Sequence, residues 1–474
     1  MVWNTGLHYP NATRGCNQIG GTRCGRVRKH SADGHDGAWP SMALYNMCAQ
    51  FTDNTPRRSK GKRQAIKGTD MPNALTKSRA SRRRFLAAAG STVAAATIVP
   101  RYVLGGQEQP PPSETITYGV IGNGARKDAG LAGNKAFRRV AVCDVDVARI
   151  GGEPDNKTRF TDFRRMVERK DIDVVCIGTP PHWHAIPCIV AAQAGKDIFC
   201  EKPMTKFIAE GRAVADAVRR YGVVFQIGTF GRFNKDLRET HKICASGLLK
   251  DLSGVVDFAG ARNRVGNPAL PEQPVPPGLD YDFWLGPAPY KPYNKARVHY
   301  SNRFYWDYEG GDLTNFGFHS YDPLQYKYAK DDTGPVEIEP FAQWPQHPDA
   351  VGVYRYVVLT YADGLKIVVH PGKKPEIAGT RTVRKEDLSP EDRKKLDAMP
   401  DPPPLVQFAE AVKTRQQAGG NAESSHRTST ALNLANIAIR LGRKLRWDPV
   451  AERIIGDDEA QRFVDIPMRA PWHL

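Results

Sequence analysis

The chain has 474 residues, enough for two or three domains, since single cores seldom exceed about 250–300 residues. With 40% hydrophobic and 25% charged residues it has a globular composition, which excludes a coiled coil, a collagen or a wholly disordered chain. The net charge of +17 invites a nucleic-acid partner, but residues 1–106 carry 17 Lys+Arg against 4 Asp+Glu, leaving 51 against 47 for residues 107–474. The longer part has no large field to attract a phosphate backbone.

Residues 1–70 are rich in Gly, Asn, Arg and Ser and show no sustained apolar period. Ser81-Arg82-Arg83-Arg84-Phe85-Leu86 then leads into an apolar stretch of 13 residues, 87–99, too short to cross a bilayer of about 30 Å as a helix. The junction resembles a twin-arginine export signal with Arg82 and Arg83 as the pair. Such signals lie near a start codon, and Met71 would supply one. Translation is therefore expected from Met71, with residues 1–70 not made. The signal then occupies 71–106 and the Pro-rich 107–113 is an extended linker. The expected destination is the periplasm, with no stable membrane span. Of eight cysteines, Cys143, Cys176, Cys188, Cys200 and Cys244 follow the signal without a C-x-x-C pair. They are expected as free thiols, mostly buried, and offer neither a disulfide framework nor a zinc site.

From residue 114 the pattern becomes periodic. Residues 115–121 are an apolar run expected as a buried parallel strand, and Gly122-Asn123-Gly124 follows at once. Glycines there permit a tight turn and let backbone N–H groups approach a pyrophosphate at the next helix's N-terminus, although Lys127 stands where a third glycine belongs. A second strand, 139–144, ends in Asp144, 22 residues after Gly122 and close to the ~20 expected of a carboxylate that binds ribose hydroxyls. An acid there favours NAD over NADP, whose 2′-phosphate it repels. A third run, 171–177, ends at Gly178-Thr179-Pro180. A helix opens at Pro181-His182-Trp183-His184 and continues to Gly195. A fourth strand, 196–200, carries Glu201-Lys202-Pro203, and a helix over 208–221 leads to a strand over 223–227. This alternation predicts a Rossmann domain, an α/β doubly wound parallel sheet, over 114–232, with ligands at the carboxyl ends of its strands. Gly122, Asp144, Thr179 and Lys202 all fall at such ends. Further on, 254–258, 351–360 and 366–370 are strand-like, 267–278 is a Pro-rich loop, and 405–412 and 426–441 are helical.

At these residues the chain resembles the Gfo/Idh/MocA family of glucose–fructose oxidoreductase, inositol dehydrogenase and relatives. The matching pieces are Ile121-Gly122-Asn123-Gly124, Cys143-Asp144-Val145-Asp146, Thr179-Pro180-Pro181-His182-Trp183-His184 and Cys200-Glu201-Lys202-Pro203. They continue through Trp284-Leu285-Gly286-Pro287, Gly310-Gly311-Asp312 and Trp447-Asp448-Pro449. The resemblance implies a C-terminal α/β domain with a large, mostly antiparallel sheet over 233–474, and assembly as a dimer or tetramer through that sheet. It also implies a bound NAD, held by Gly122, Asn123, Gly124, Asp144, Thr179, Pro180, His184, Glu201 and Lys202, with no metal.

In such enzymes the lysine of E-K-P polarises the reacting hydroxyl, a role that falls to Lys202. The usual proton-transfer pair is Asp and His at D-x-x-x-H, where this chain has Asn315 and His319. Positions i and i+4 share a helix face, with Asp322 three residues on. His319 is then the expected general base, its tautomer fixed by Asp322 or a backbone carbonyl. An amide cannot accept a proton at neutral pH, so Asn315 departs from the ordinary dehydrogenase pattern. Arg232 is a candidate for binding substrate oxygens, with an ion pair as the equal alternative. The run Tyr300, Arg303, Phe304, Tyr305, Trp306 and Tyr308 is aromatic enough to suit sugar stacking, with core packing at least as good a reading. Three functions stay open. One is an NAD-dependent oxidoreductase of a sugar, cyclitol or polyol. Another is a redox-neutral glycosidase that oxidises, eliminates and returns the hydride. The third is a non-catalytic nucleotide-binding protein. The twin-arginine route carries folded proteins, which suits an enzyme loaded with its dinucleotide before export.

Overall fold

The computed structural model describes residues 114–474 except 125–127, 129, 268, 344–345 and 378. The export signal, the Met71 start, the linker and Lys127 lie outside the described residues. Two six-stranded sheets organise the chain. The first contains β1 (Ile116–Ile121), β2 (Phe137–Cys143), β3 (Arg159–Phe160), β4 (Val174–Ile177), β5 (Asp197–Cys200) and β6 (Phe225–Ile227). All its neighbours pair in parallel, in the order β3-β2-β1-β4-β5-β6. This is the Rossmann order, and it reverses direction between β1 and β4, which opens a crevice at the carboxyl ends there. Val174–Ile177 and Asp197–Cys200 are buried at every position, as strands covered on both faces must be.

The start of the helix expected behind the glycine turn falls on residues 125–127 and 129, outside the described residues; the described ones between Gly124 and Phe137 are mostly turns. One face of the sheet is covered from the far end of the chain, by a helix over Phe408–Thr414. Phe408 stacks on Phe137 with ring centroids 5.8 Å apart and meets Phe199 edge-on at 5.4 Å.

The second sheet runs β12-β11-β8-β9-β10-β7, from β7 (Val256–Gly260), β8 (Glu337–Ala342), β9 (Tyr354–Thr360), β10 (Lys366–His370), β11 (Leu445–Asp448) and β12 (Arg453–Ile454). Only the β10–β7 pair is parallel, so the sheet is mostly antiparallel. Two helices pack against it and against each other: α1 (Gly311–Lys327) and α2 (Ala422–Leu441). α2 starts four residues before the expected 426, because Asn421 caps it by accepting the Ser424 N–H. The expected helix from Pro181 divides into a 3₁₀ turn, Pro181–Trp183, and an α-helix, Ala185–Gln193. Among the described residues no helix is long and apolar enough to cross a membrane. Cys143, Cys176, Cys188 and Cys200 are buried free thiols, and Cys244 is half-buried.

Candidate active site

The crevice at the β1–β4 switch point opens into a cavity of about 320 Å³. Gly122, Gly124, Asp144, Thr179, Pro180, Glu201 and Lys202 line its sheet side, while Asn302, Arg303, Glu309, Asn315 and His319 line the other. Strand ends therefore meet α1 across one cleft. Gly122 has φ +85°, and a Cβ there would lie 2.6 Å from the Thr179 nitrogen, so only glycine lets the two turns close together. Asn123 lies beside the cleft: its backbone N–H donates to Asp144 at 2.8 Å and its side-chain amide to the Arg149 carbonyl. The second oxygen of Asp144 accepts the Asp146 N–H at 3.0 Å. Burial raises its pKa to about 6 against these hydrogen bonds and the nearby Arg149.

A nicotinamide dinucleotide suits this donor set. Asp144 retains lone pairs for ribose hydroxyls. Thr179 Oγ1, Asn123 Oδ1 and Asn302 Oδ1 are buried without hydrogen-bond partners among the described residues. Thr179 and Asn302 line the cleft, and such orphaned atoms are what a bound polar ligand satisfies.

Lys202 is 8% exposed. Its ammonium donates to Asn315 Oδ1 at 2.8 Å and to the Asn315 carbonyl at 3.1 Å, bridging the two domains. Arg303 Nη1 donates to the same Oδ1 at 3.2 Å. The amide's other end, Nδ2, donates to Glu309 Oε1 at 2.6 Å. This fixes the amide's orientation, because a flip would turn its NH₂ toward two cations. His319 follows four residues after Asn315 on α1 and faces the cleft. Glu309 and Arg149 line the cleft too, and sequence reasoning missed both; Arg303, named there only within the aromatic run, lines it as well. Glu309 lies just outside α1, separated from it by Gly310, so no helical spacing links it to Asn315.

Three expected site residues lie elsewhere. His184 is 1% exposed, with its ring nitrogens 2.8 Å from the carbonyl oxygens of Pro203 and Thr179. It bolts the Thr179-Pro180 turn to the loop after Lys202 and lines no part of the cleft. Arg232 and Asp322 are buried and paired at 2.5 Å, with both side chains wholly shielded. Arg232 also holds Asp331 and the Gly419 carbonyl, and Asp322 accepts from Thr229 and Thr428. The ion-pair reading of Arg232 therefore holds, and Asp322 is committed to that pair. The aromatic run divides: Tyr305, Trp306 and Tyr308 are core, whereas Tyr300 is 53% exposed, lines the cleft and carries the Arg303 guanidinium 3.8 Å from its ring.

The tryptophan motifs join in the same neighbourhood. Trp183 Nε1 donates to the Trp284 carbonyl at 2.9 Å, and His182 Nε2 lies 3.1 Å from it. The His182 backbone N–H donates to the Tyr308 carbonyl at 3.1 Å, which holds the segment entering α1.

Two domain models of one family match. The NAD-binding Rossmann fold of the oxidoreductase family matches residues 116–229, and that family's C-terminal alpha/beta domain matches 233–474. The chain belongs to the Gfo/Idh/MocA oxidoreductase family. Curated relatives include an inositol 2-dehydrogenase of Salmonella typhimurium, 28% identical over 28% of this chain and 42% of its own length. A levoglucosan dehydrogenase of Pseudarthrobacter phenanthrenivorans is 43% identical over 14% of this chain and 17% of its own. A 2,7-anhydro-N-acetylneuraminate hydratase of Mediterraneibacter gnavus is 27% identical over 29% and 37%. The chain thus spans less than half the length of each of these. Among solved structures, the aldose-aldose oxidoreductase of Caulobacter crescentus covers 70% of this chain and 99% of its own at 18% identity, with a TM-score of 0.44.

Proposed function

We propose that this protein is an NAD-dependent oxidoreductase that moves a hydride between a sugar, cyclitol or related polyol and a tightly held cofactor. The observation that carries it is the Lys202–Asn315 contact. It places a buried ammonium from the parallel sheet against α1, inside the cleft lined by four strand-end motifs. When bound, a nicotinamide would supply the hydride acceptor. Gly122 and Gly124 would admit its pyrophosphate, Asp144 would hold its ribose hydroxyls, and Thr179 and Pro180 would line its path. Lys202 Nζ would donate to the reacting oxygen, and His319, expected from the sequence as the base, lines the same cleft. Asp144 supports NAD over NADP.

Export by the twin-arginine route would deprive the enzyme of a free NAD pool, which fits a cofactor that is retained and recycled. Assembly as a dimer or tetramer through the second sheet is supported by the outer face of β9. There Tyr356 and Val358 alternate with the buried Val357 and Leu359 and stay half-exposed, with Phe341 stacked on Tyr356 at 4.2 Å.

The test is to denature the purified protein, identify any released dinucleotide, and incubate the holoprotein with a panel of sugars, polyols and aryl glycosides. Net change in nicotinamide absorbance is the expected result. Glycoside cleavage without net change would assign redox-neutral elimination instead, and an empty site without turnover would refute catalysis.

A further inference from the structure

Glu309 is a buried carboxylate that, among the described residues, is held by a single neutral hydrogen bond. It is 2% exposed yet lines the cleft. Its Oε1 accepts the Asn315 amide at 2.6 Å, while among the described residues nothing donates to Oε2 and no cation pairs with it. A carboxylate buried only for stability would be matched by a cation with its lone pairs satisfied, because an unpaired buried charge is costly. The backbone pins Glu309 from both sides: the Tyr308 carbonyl accepts from His182 N–H, and the Gly310 carbonyl from Asn436 Nδ2 at 2.9 Å. The close approach to α2 requires Gly310, where a Cβ would lie 2.2 Å from that amide nitrogen.

We propose that Glu309 is the group that takes the proton from the substrate hydroxyl, and that Asn315 positions it. Lys202 and Glu309 hold opposite ends of one amide and both line the cleft, so a hydroxyl bound there meets a donor and an acceptor together. The asparagine at 315 belongs to this arrangement. An aspartate in its place would set a second carboxylate about 2.6 Å from Glu309, and the two could not both ionise. The amide instead donates to Glu309 while accepting from Lys202 and Arg303. Burial pushes the Glu309 pKa up, against the pull of Arg303, the Asn315 hydrogen bond and Lys202, which suits a base working near neutral pH.

The inference rests on the cleft being a hydride-transfer site. In the step, the hydroxyl O–H bond breaks and its proton goes to Glu309 Oε2. The C–H electron pair leaves as hydride to the nicotinamide, the oxidant, and the carbonyl forms. Glu309 then releases its proton to solvent, or returns it when the reaction runs backward.

The experiment compares wild type, Glu309→Gln, Glu309→Asp and the double variant Glu309→Gln/Asn315→Asp. NADH binding, read by fluorescence, should stay within about threefold throughout. Turnover in Glu309→Gln should fall about 100- to 10,000-fold with KM little changed, the range for loss of a general base. The acid limb of its pH–rate profile should vanish. The double variant should regain at least tenfold of the loss, because it moves the carboxylate to 315. In nucleotide-free protein, ¹³C NMR of labelled glutamates should show two carboxyls titrating above the usual range in wild type, those of Glu210 and Glu309, and one of the two should be missing from Glu309→Gln. If Glu309→Gln does not fold, Glu309→Asp, which keeps the charge but withdraws it by one methylene, must lose turnover. Near-wild-type kcat in Glu309→Gln, or no raised carboxyl lost from its spectrum, overturns the proposal while the hydride-transfer reading stands. Wild type that neither binds NADH nor turns over any polyol overturns both.

Discussion

Replacing Arg232 by methionine distinguishes a structural bolt from a substrate clamp. The guanidinium donates to both oxygens of Asp322, at 2.9 and 2.5 Å, to Asp331 at 2.9 Å and to the Gly419 carbonyl at 3.1 Å. Methionine refills the volume of the aliphatic stem but brings no charge. Thr229 and Thr428 still donate to Asp322, leaving that carboxylate with two hydroxyls and no cation. Orphaning one member of a buried pair costs about 3–5 kcal/mol, a large share of a total stability of about 5–15 kcal/mol. At about 2–4 °C per kcal/mol the melting temperature should fall by roughly 6–20 °C, toward the lower end for a chain this long. Urea unfolding followed by circular dichroism should show a lower midpoint with an unchanged slope. At 20 °C, NADH affinity and KM should stay within about twofold. Removing the more deeply buried orphan as well, in Arg232→Met/Asp322→Leu, should recover part of the loss, with the half-buried Asp331 still unpaired. A single variant that unfolds within about 1 kcal/mol of wild type but raises KM tenfold would show that Arg232 faces substrate.

Lys202→Met should abolish turnover while circular dichroism stays native and NADH still binds; full turnover would refute its role. Gly122→Ala should cost at least about 1–3 kcal/mol from the left-handed backbone alone, before the contact with Thr179 is counted, and should lose dinucleotide binding in a fluorescence titration. Glu452 gives a pH test. Burial raises its pKa, but hydrogen bonds from His426 and Arg212 outweigh this and hold it at about 2. Its folded pKa lies below the unfolded value near 4.3, so its stabilisation is full above that value and lost as pH falls through about 2. Solvent screening at this half-buried site leaves about 1–2 kcal/mol. Glu452→Gln should therefore lose less stability than wild type between pH 5 and pH 2, measured by urea titration at each pH.

The parallel sheet was legible in the sequence because a buried strand needs four or more consecutive apolar residues and its carboxyl end needs a turn. Val174–Ile177 followed by Gly178-Thr179-Pro180 meets both requirements, and Ile198-Phe199-Cys200 followed by Glu201-Lys202-Pro203 falls one apolar residue short but has the turn. Local chemistry thus determined the fold class, the dinucleotide-type turn and Lys202 as the lysine at a strand end. Only tertiary structure decided what faces that lysine. Arg232 and Asp322 lie 90 positions apart, and nothing local says that both turn inward to each other. The helix over Phe408–Thr414 reaches the first sheet from the far end of the chain, a placement that only packing makes. Glu309 sits in a short loop where no period operates. It meets Asn315 because Gly310 and Gly311 let the chain turn tightly against α2, and a contact made by a turn leaves no spacing to read.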